Sequence, residues 1–135
     1  MGKPNLTEEK LQGRYYSPKT ITEFISKWAI QSKNNVVLEP SCGDGVFVES
    51  MFDRLMDLGS TTENTLSNIY VVDTDETGIN KTKNKIKKLS KSSIKKQNAI
   101  NDDFFSVFLK QFKNKKFDVV VGNPPFIRYQ NFDEE

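Results

Sequence analysis

The chain of 135 residues contains no histidine and a single cysteine, Cys42. The lack of histidine excludes serine–histidine triads, histidine general bases and histidine metal ligands. One cysteine excludes an internal disulfide and any multi-cysteine zinc site, and it suits a reducing compartment. No apolar run approaches the roughly 20 residues needed to span a bilayer. The N-terminus, Met1-Gly2-Lys3-Pro4-Asn5-Leu6-Thr7, lacks the apolar core of a secretory signal. The expectation is therefore a cytoplasmic protein with no membrane partner. Net charge is only +2, so the whole molecule is not a strongly basic nucleic-acid binder. The length suits one domain with a real core.

The most informative stretch present is Val119-Val120-Val121-Gly122-Asn123-Pro124-Pro125-Phe126. Three β-branched residues read as a strand buried on both faces, as inside a parallel sheet. Pro124 and Pro125 lack N–H groups and cannot continue a ladder, so the strand stops at Gly122. The residues after it project from its carboxyl end, where open α/β sheets bind ligands. The Asn123 amide oxygen and the Pro124 carbonyl are two acceptors on a stiff backbone, able to converge on one amino group. Phe126 offers a flat face for stacking on a planar ring. An exocyclic amino group on a heteroaromatic ring is a poor nucleophile, because its lone pair is delocalised. Two acceptors gripping its hydrogens favour the pyramidal form whose lone pair points at an electrophile. The plainer reading is a proline-rich turn closing a strand.

Gly122-Asn123-Pro124-Pro125-Phe126 resembles the catalytic motif of amino-group methyltransferases dependent on S-adenosyl-L-methionine, above all the N6-adenine DNA methyltransferases. The resemblance implies catalytic roles for Asn123, Pro124, Pro125 and Phe126, with Asn123 also beside the cofactor.

Residues 1–12 form a polar N-terminal segment, and 13–135 read as the methyltransferase domain. Gly13-Arg14-Tyr15-Tyr16-Ser17-Pro18 leads into Ile21, Phe24, Ile25, Trp28 and Ala29 at helical spacing. Ser17 as N-cap with Pro18 at the first helical position is a good start signal. The tyrosines alone would also serve as a hydrophobic staple. In the family a segment of this kind resembles motif X, which closes over the methionine end of the cofactor. That implies binding roles for Tyr15, Tyr16, Ser17 and Pro18.

Asn34-Asn35 breaks this helix, and Val36-Val37-Leu38 is a short buried strand. It runs into Glu39-Pro40-Ser41-Cys42-Gly43-Asp44-Gly45, then a helix with Phe47, Val48, Met51, Phe52, Leu55 and Leu58 on one face. Strand, glycine turn and helix open a Rossmann-like nucleotide site. The loop is not a dinucleotide fingerprint. Glu39 and Asp44 place carboxylates where a pyrophosphate would need bare N–H groups, and an acidic loop suits a cationic ligand instead. S-adenosylmethionine carries a sulfonium and an ammonium and no phosphate. The run resembles methyltransferase motif I, which implies cofactor roles for Glu39, Pro40, Ser41, Gly43 and Gly45. Cys42, with no base beside it in sequence, reads as a small buried filler.

Gly59 to Asn68 reads as a polar loop, and Ile69-Tyr70-Val71-Val72 as the next strand, ending in Asp73-Thr74-Asp75. By resemblance to motif II, Asp73 with Thr74 holds the cofactor ribose, while Asp75 caps the following helix; the two acids are exchangeable at this level. From Glu76 to Lys96 the chain is lysine-rich with a thin apolar stripe of Ile79, Ile86 and Leu89. It reads as a solvated surface helix and loop, with a phosphate-contacting patch as the sharper alternative. Gln97–Ile100 reads as a third strand, Phe104–Phe112 as an amphipathic helix and Phe117–Val121 as the fourth strand. In the family an Asp-Phe pair after the third strand (motif III) binds the cofactor adenine. Asp103 with Phe104 fits that register, Asp102 being the rival; on the residues alone, an Asp cap on the helix serves equally.

The motifs follow the order of the gamma class of N6-adenine methyltransferases over residues 13–129. The resemblance implies a Rossmann-like α/β fold, three-layer α/β/α with a mainly parallel sheet, here cut after the fourth strand. It implies direct methyl transfer to a flipped adenine in site-specific DNA, in a restriction–modification setting. Ile127-Arg128-Tyr129 is a softer match to enzymes that fuse both activities. A fourth strand at an open sheet edge would be a template for pairing with another chain, including a second copy. The remaining strands and a target-recognition domain are expected in cis or from a partner. Two alternatives stay open. One is a methyltransferase acting on a protein glutamine amide or an RNA base amino group. The other is a non-catalytic module that binds S-adenosylmethionine or assembles with a partner.

Overall fold

A computed structural model describes residues 17–124. Four strands, β1 (Val37–Glu39), β2 (Ile69–Asp73), β3 (Ala99–Asn101) and β4 (Val119–Val120), form one sheet in the order β3-β2-β1-β4. All three pairings are parallel, with Val37 opposite Ile69 and Val119, and Val71 opposite Ala99. The helices are α1 (Lys19–Ala29), α2 (Val46–Asp57), α3 (Thr62–Asn68), α4 (Glu76–Ser90) and the short α5 (Phe104–Val107). This is an α/β fold of Rossmann-like form. The chain builds outward from β1 through β2 to β3, then returns to place β4 on the other side of β1. The crevice between β1 and β4 is thus the topological switch point, where such sheets bind ligands.

Successive strand residues face opposite sides. Val37, Val71, Ala99 and Val121 face a core with Val48, Met51 and Leu55 of α2 and Ile79 and Ile86 of α4. Leu38 and Val72 face the other side, against Val107, Phe112, Tyr70 and Phe117. There Tyr70, Phe112 and Phe117 meet edge to face, with ring centroids 5.2–5.7 Å apart. No described helix is long and apolar enough to cross a membrane.

Several local expectations are corrected. Pro18 occupies the N-cap position itself, extended at ψ 141°, so α1 starts at Lys19 and Ser17 does not cap it. Only part of the apolar set of α1 faces the core: Ile25 and Ala29 pack against it. Thr22 and Ser26 are buried, while Ile21, Phe24 and Trp28 are 50, 71 and 76% exposed. The cause is a close approach to α2, where the Thr22 and Ser50 hydroxyls lie 2.8 Å apart. A narrow face of small residues fits this gap and a tryptophan does not. α1 already ends at Ala29, before the expected break, and the Asn35 side chain accepts from the N–H groups of Gln31 and Ser32 in the turn that follows.

The expected loop before β2 contains α3, capped by Thr61, whose side chain accepts the Asn64 N–H. β1 is shifted by one residue, because Val36 donates to the Asp118 carboxylate outside the ladder. The third strand also starts later, after a single 3-10 turn over Lys96–Asn98. The helix from Phe104 becomes a π-helix over Phe108–Phe112. The five-residue spacing of Val107 and Phe112, both buried, fits an i→i+5 turn better than an α-helix. Finally, the valine strand is not buried on both faces: Val121 is buried but Val120 is 59% exposed. β4 is the sheet edge among the described residues, and its second face has no covering layer there.

Candidate cofactor and catalytic site

The site lies at the carboxyl ends of β1, β2 and β4, and its first part is the turn after β1. Leaving the strand, the chain folds back over β2, and Cys42 N–H donates to the Val72 carbonyl at 3.0 Å. Gly43 and Gly45 then adopt left-handed conformations, φ 54° and 87°, which admit glycine at no steric cost. Gly45 also packs on α4, where an added Cβ would lie 2.9 Å from Thr82 Oγ1. Thr82 in turn donates to the Gly43 carbonyl at 3.1 Å, and Gly78 lets α4 approach that same carbonyl. α4 is therefore the floor of the turn. Thr82 and Gly78 escaped the sequence reading; a glycine in the first turn of a lysine-rich helix was the available signal.

Asp73 ends β2 and is 6% exposed. Its two oxygens accept the Gly43 N–H at 2.7 Å and the Asp75 N–H at 2.8 Å. The carboxylate thus joins the glycine turn to the end of the second strand. Asp75 caps α4 by accepting the Gly78 N–H, the role expected for it. Asn101, also missed in the sequence, donates from its side chain to the carbonyls of Asp73 and Thr74 and ties in β3. Asp103 caps α5 by accepting the Ser106 N–H at 2.9 Å, and half-buried Phe104 packs against the aromatic core. Those two residues are not in contact with the glycine turn through any described bond.

The third part is the segment after β4. Val121 N–H donates to the Leu38 carbonyl, which sets Gly122 beside Glu39. A Cβ on Gly122 would collide with Glu39 Oε1 and lie 2.9 Å from Oε2, so any larger residue there requires the Glu39 carboxyl to shift. Glu39 is 2% exposed, and its Oε1 accepts the Ser41 N–H at 2.8 Å. Burial, reinforced by the Asp73 charge, pushes its ionisation up to about 8 against the opposing Ser41 bond. Beyond Gly122, the Asn123 side-chain N–H donates to Ser17 Oγ at 3.1 Å. Ser17, placed at the helix cap by sequence, instead orients the amide 106 residues away. Pro124 is exposed beside it. Tyr15, Tyr16, Pro125 and Phe126 lie outside the described residues.

Cys42 is buried, and burial pushes its thiol up to about 12. It stays protonated and inert, a filler as its sequence context indicates.

The turn is lined by three carboxyl side chains, Glu39, Asp44 and Asp73, and by no basic one, with Glu39 held protonated at neutral pH by its burial. It fits a cationic, phosphate-free ligand, and S-adenosylmethionine meets that description.

The sequence profile of the N-6 DNA Methylase family matches residues 2–135. The methylase subunit of the type I restriction enzyme MjaIX from Methanocaldococcus jannaschii is 33% identical over 127 residues, covering 93% of this chain and 21% of that protein. The type II methyltransferase M.HincII of Haemophilus influenzae is 28% identical, covering 90% of this chain and 18% of its own length. The modification methylase CviBIII of Paramecium bursaria Chlorella virus NC1A is 29% identical, covering 90% and 28%. The chain thus spans between about a sixth and just over a quarter of the relatives it matches. With the glycine turn, the second-strand acid and Gly122 to Pro124 at one end of the sheet, and the profile extending over almost the full length, the chain belongs to the N-6 DNA methylase family.

Proposed function

We propose that the complete protein is a site-specific DNA methyltransferase acting on the N6 amino group of adenine, in a restriction–modification system of the cytoplasm. The observation that carries this reading is the Ser17–Asn123 bond together with the Glu39–Gly122 contact. These two contacts tie Gly122 to Glu39 of the glycine turn and Asn123 to Ser17, beside the switch point. When bound, S-adenosylmethionine supplies an electrophilic methyl group on a sulfonium.

Glu39, Pro40, Ser41, Gly43 and Gly45 form the wall for its methionine end, with Ser17, Pro18, Tyr15 and Tyr16 closing over it. Asp73 and Thr74 receive the ribose, and Asp103 with Phe104 the adenine ring. Ser17 fixes the plane of the Asn123 amide. Its oxygen and the Pro124 carbonyl accept the two hydrogens of the target amino group and turn its lone pair outward. Pro125 stiffens the segment and Phe126 stacks on the base. A base paired in a duplex reaches Phe126 only after flipping out of the stack. No general base is needed before transfer, because the amino nitrogen attacks with its own lone pair. Target recognition comes from residues outside this chain, in cis or on a partner, in keeping with the small share of the relatives that it spans.

Two measurements test this. Calorimetric titration of S-adenosylmethionine into this chain should show saturable binding, weakened by Asp73→Asn, which keeps one acceptor and so spares most of the turn. In the complete protein, Asn123→Ala should abolish transfer of labelled methyl to adenine in duplex DNA while leaving cofactor affinity within a few-fold. Labelled cytosine or protein as the product, or full activity of Asn123→Ala, would refute the assignment.

A further inference from the structure

The net charge of +2 conceals a strong segregation. From Thr77 to Asn101 the chain has eight lysines and no acidic residue. Of the 20 basic and 18 acidic residues, 12 basic and all 18 acidic lie elsewhere, so this stretch carries +8 and the remainder −6. The stretch comprises α4 after its first residue, the turn behind it and β3.

The fold leaves six of these eight charges exposed along α4 and the turn behind it. Ile79, Thr82 and Ile86 are buried, which turns α4 so that Lys81, Lys87 and Lys88 are exposed. Lys91, Lys95 and Lys96 follow on the exposed turn. Lys85 alone pairs with an acid, Glu49 of α2, at 3.7 Å. The other seven make no ion pair with a described residue. Lys91 also adopts a left-handed conformation, φ 60°, unique among the described non-glycine residues. Glycine or asparagine favours this helix-end position, and a lysine there costs on the order of 1 kcal/mol. A cation thus occupies a place where the backbone alone would select another residue.

Most of the surface is remote from the methyl-transfer crevice, Lys81 beside Thr82 being its nearest member. α4 starts at the glycine turn and runs back along the sheet, so at 1.5 Å per residue Lys88 lies about 18 Å along the helix from Glu76. Lys91, Lys95 and Lys96 sit at the amino-end side, immediately before β3. That is the end of the sheet opposite to the carboxyl ends of the strands.

We propose that Lys81, Lys87, Lys88, Lys91, Lys95 and Lys96 form a docking surface for the phosphate backbone of a DNA segment other than the one being methylated. The proposal rests on the reading that the complete protein works on DNA. Flexible ammonium groups without fixed acidic partners suit sequence-independent contact with a polyanion, each releasing condensed counterions. Such a contact would hold the protein on DNA away from its target sequence.

The test uses this chain and a fluorescein-labelled duplex of G·C pairs only, which offers no target adenine. Anisotropy titrations between about 50 and about 200 mM salt give the slope of log affinity against log salt. Replacing Lys87, Lys88, Lys91 and Lys95 by glutamine should reduce the magnitude of that slope by about three to four, one phosphate per lysine. A control variant replaces Lys27, Lys33, Lys113 and Lys116, which are exposed elsewhere, with the same loss of charge. It should keep most of the slope. Equal losses in both variants would mean that only net charge matters and would overturn the proposal. So would an unchanged slope, or binding confined to vesicles of anionic lipid. S-adenosylmethionine titration of the same variants reports the crevice separately: absence of cofactor binding in every variant would count against the methyltransferase reading, not against the lysine surface.

Discussion

Replacing Glu39 by glutamine should make the protein more stable at mildly alkaline pH and remove a large part of its pH dependence. The carboxyl is nearly enclosed, pressed on the Gly122 backbone, with one N–H donor from Ser41. Its ionisation moves from the ordinary 4.5 up to about 8, mainly through burial. Below 4.5 the folded and unfolded chains both hold the proton, and the contribution to stability is complete. Between 4.5 and about 8 the unfolded chain releases it while the folded chain does not, so stability falls as pH rises. Above about 8 both states are ionised and the loss is finished.

Over that window the loss is at most about 5 kcal/mol, at about 1.4 kcal/mol per pH unit. Glutamine has the same shape and keeps an oxygen for the Ser41 N–H, but cannot ionise. Thermal unfolding followed by circular dichroism, from about pH 5 to about pH 8, should show the wild-type Tm falling by on the order of 10 °C more than that of Glu39→Gln. Contributions from other groups cancel in the difference. Parallel Tm profiles for the two proteins would refute the reasoning, because Glu39 would then ionise in the fold as easily as in the unfolded chain.

Three further outcomes follow from single contacts. Gly122→Ala should destabilise the protein by about 1–3 kcal/mol in urea unfolding, through overpacking against the Glu39 carboxyl. Adding Glu39→Ala to it should recover part of the loss, as expected for residues in contact. Cys42 should resist Ellman's reagent in the native protein and react at full rate only in denaturant, since its thiol is buried and pushed up to about 12. Val120→Lys should reduce self-association in analytical ultracentrifugation with little change in Tm, because it charges an exposed edge-strand position that carries no core contact.

The sequence made most of the site legible where chemistry and backbone demanded the same residues. Glycines at left-handed positions, prolines that end a ladder and an acid at a strand end each have one dominant physical cause. The strand, glycine turn and helix from Val37 onward, the Asp75 cap and a parallel sheet emerged as expected. The failures came where packing partners decide the outcome. Ile21, Phe24 and Trp28 have the helical spacing of a core face, yet α1 meets α2 through Thr22 and Ser50. Periodicity identifies an apolar face and says nothing of how near a neighbour must come. The valines of β4 fail for the same reason: composition reads as burial on both faces, while burial depends on which layers are present.

Ser17 shows the limit from the other direction. Ser-Pro ahead of a helical pattern is a sound local cap signal, and Pro18 does begin the helix from the cap position. Nothing in local chemistry marks the serine hydroxyl for an asparagine 106 residues later. The coupling of Gly122 to Glu39 was equally hidden, since a glycine after a valine run reads first as a strand terminus. Both long-range contacts converge on adjacent residues, Gly122 and Asn123. The glycine turn and the segment after β4 therefore share one mechanical unit: Glu39 bears on Gly122 from the turn, and Ser17 holds the Asn123 amide from the head of α1. A displacement of either support would reach Asn123 through no more than one intervening residue.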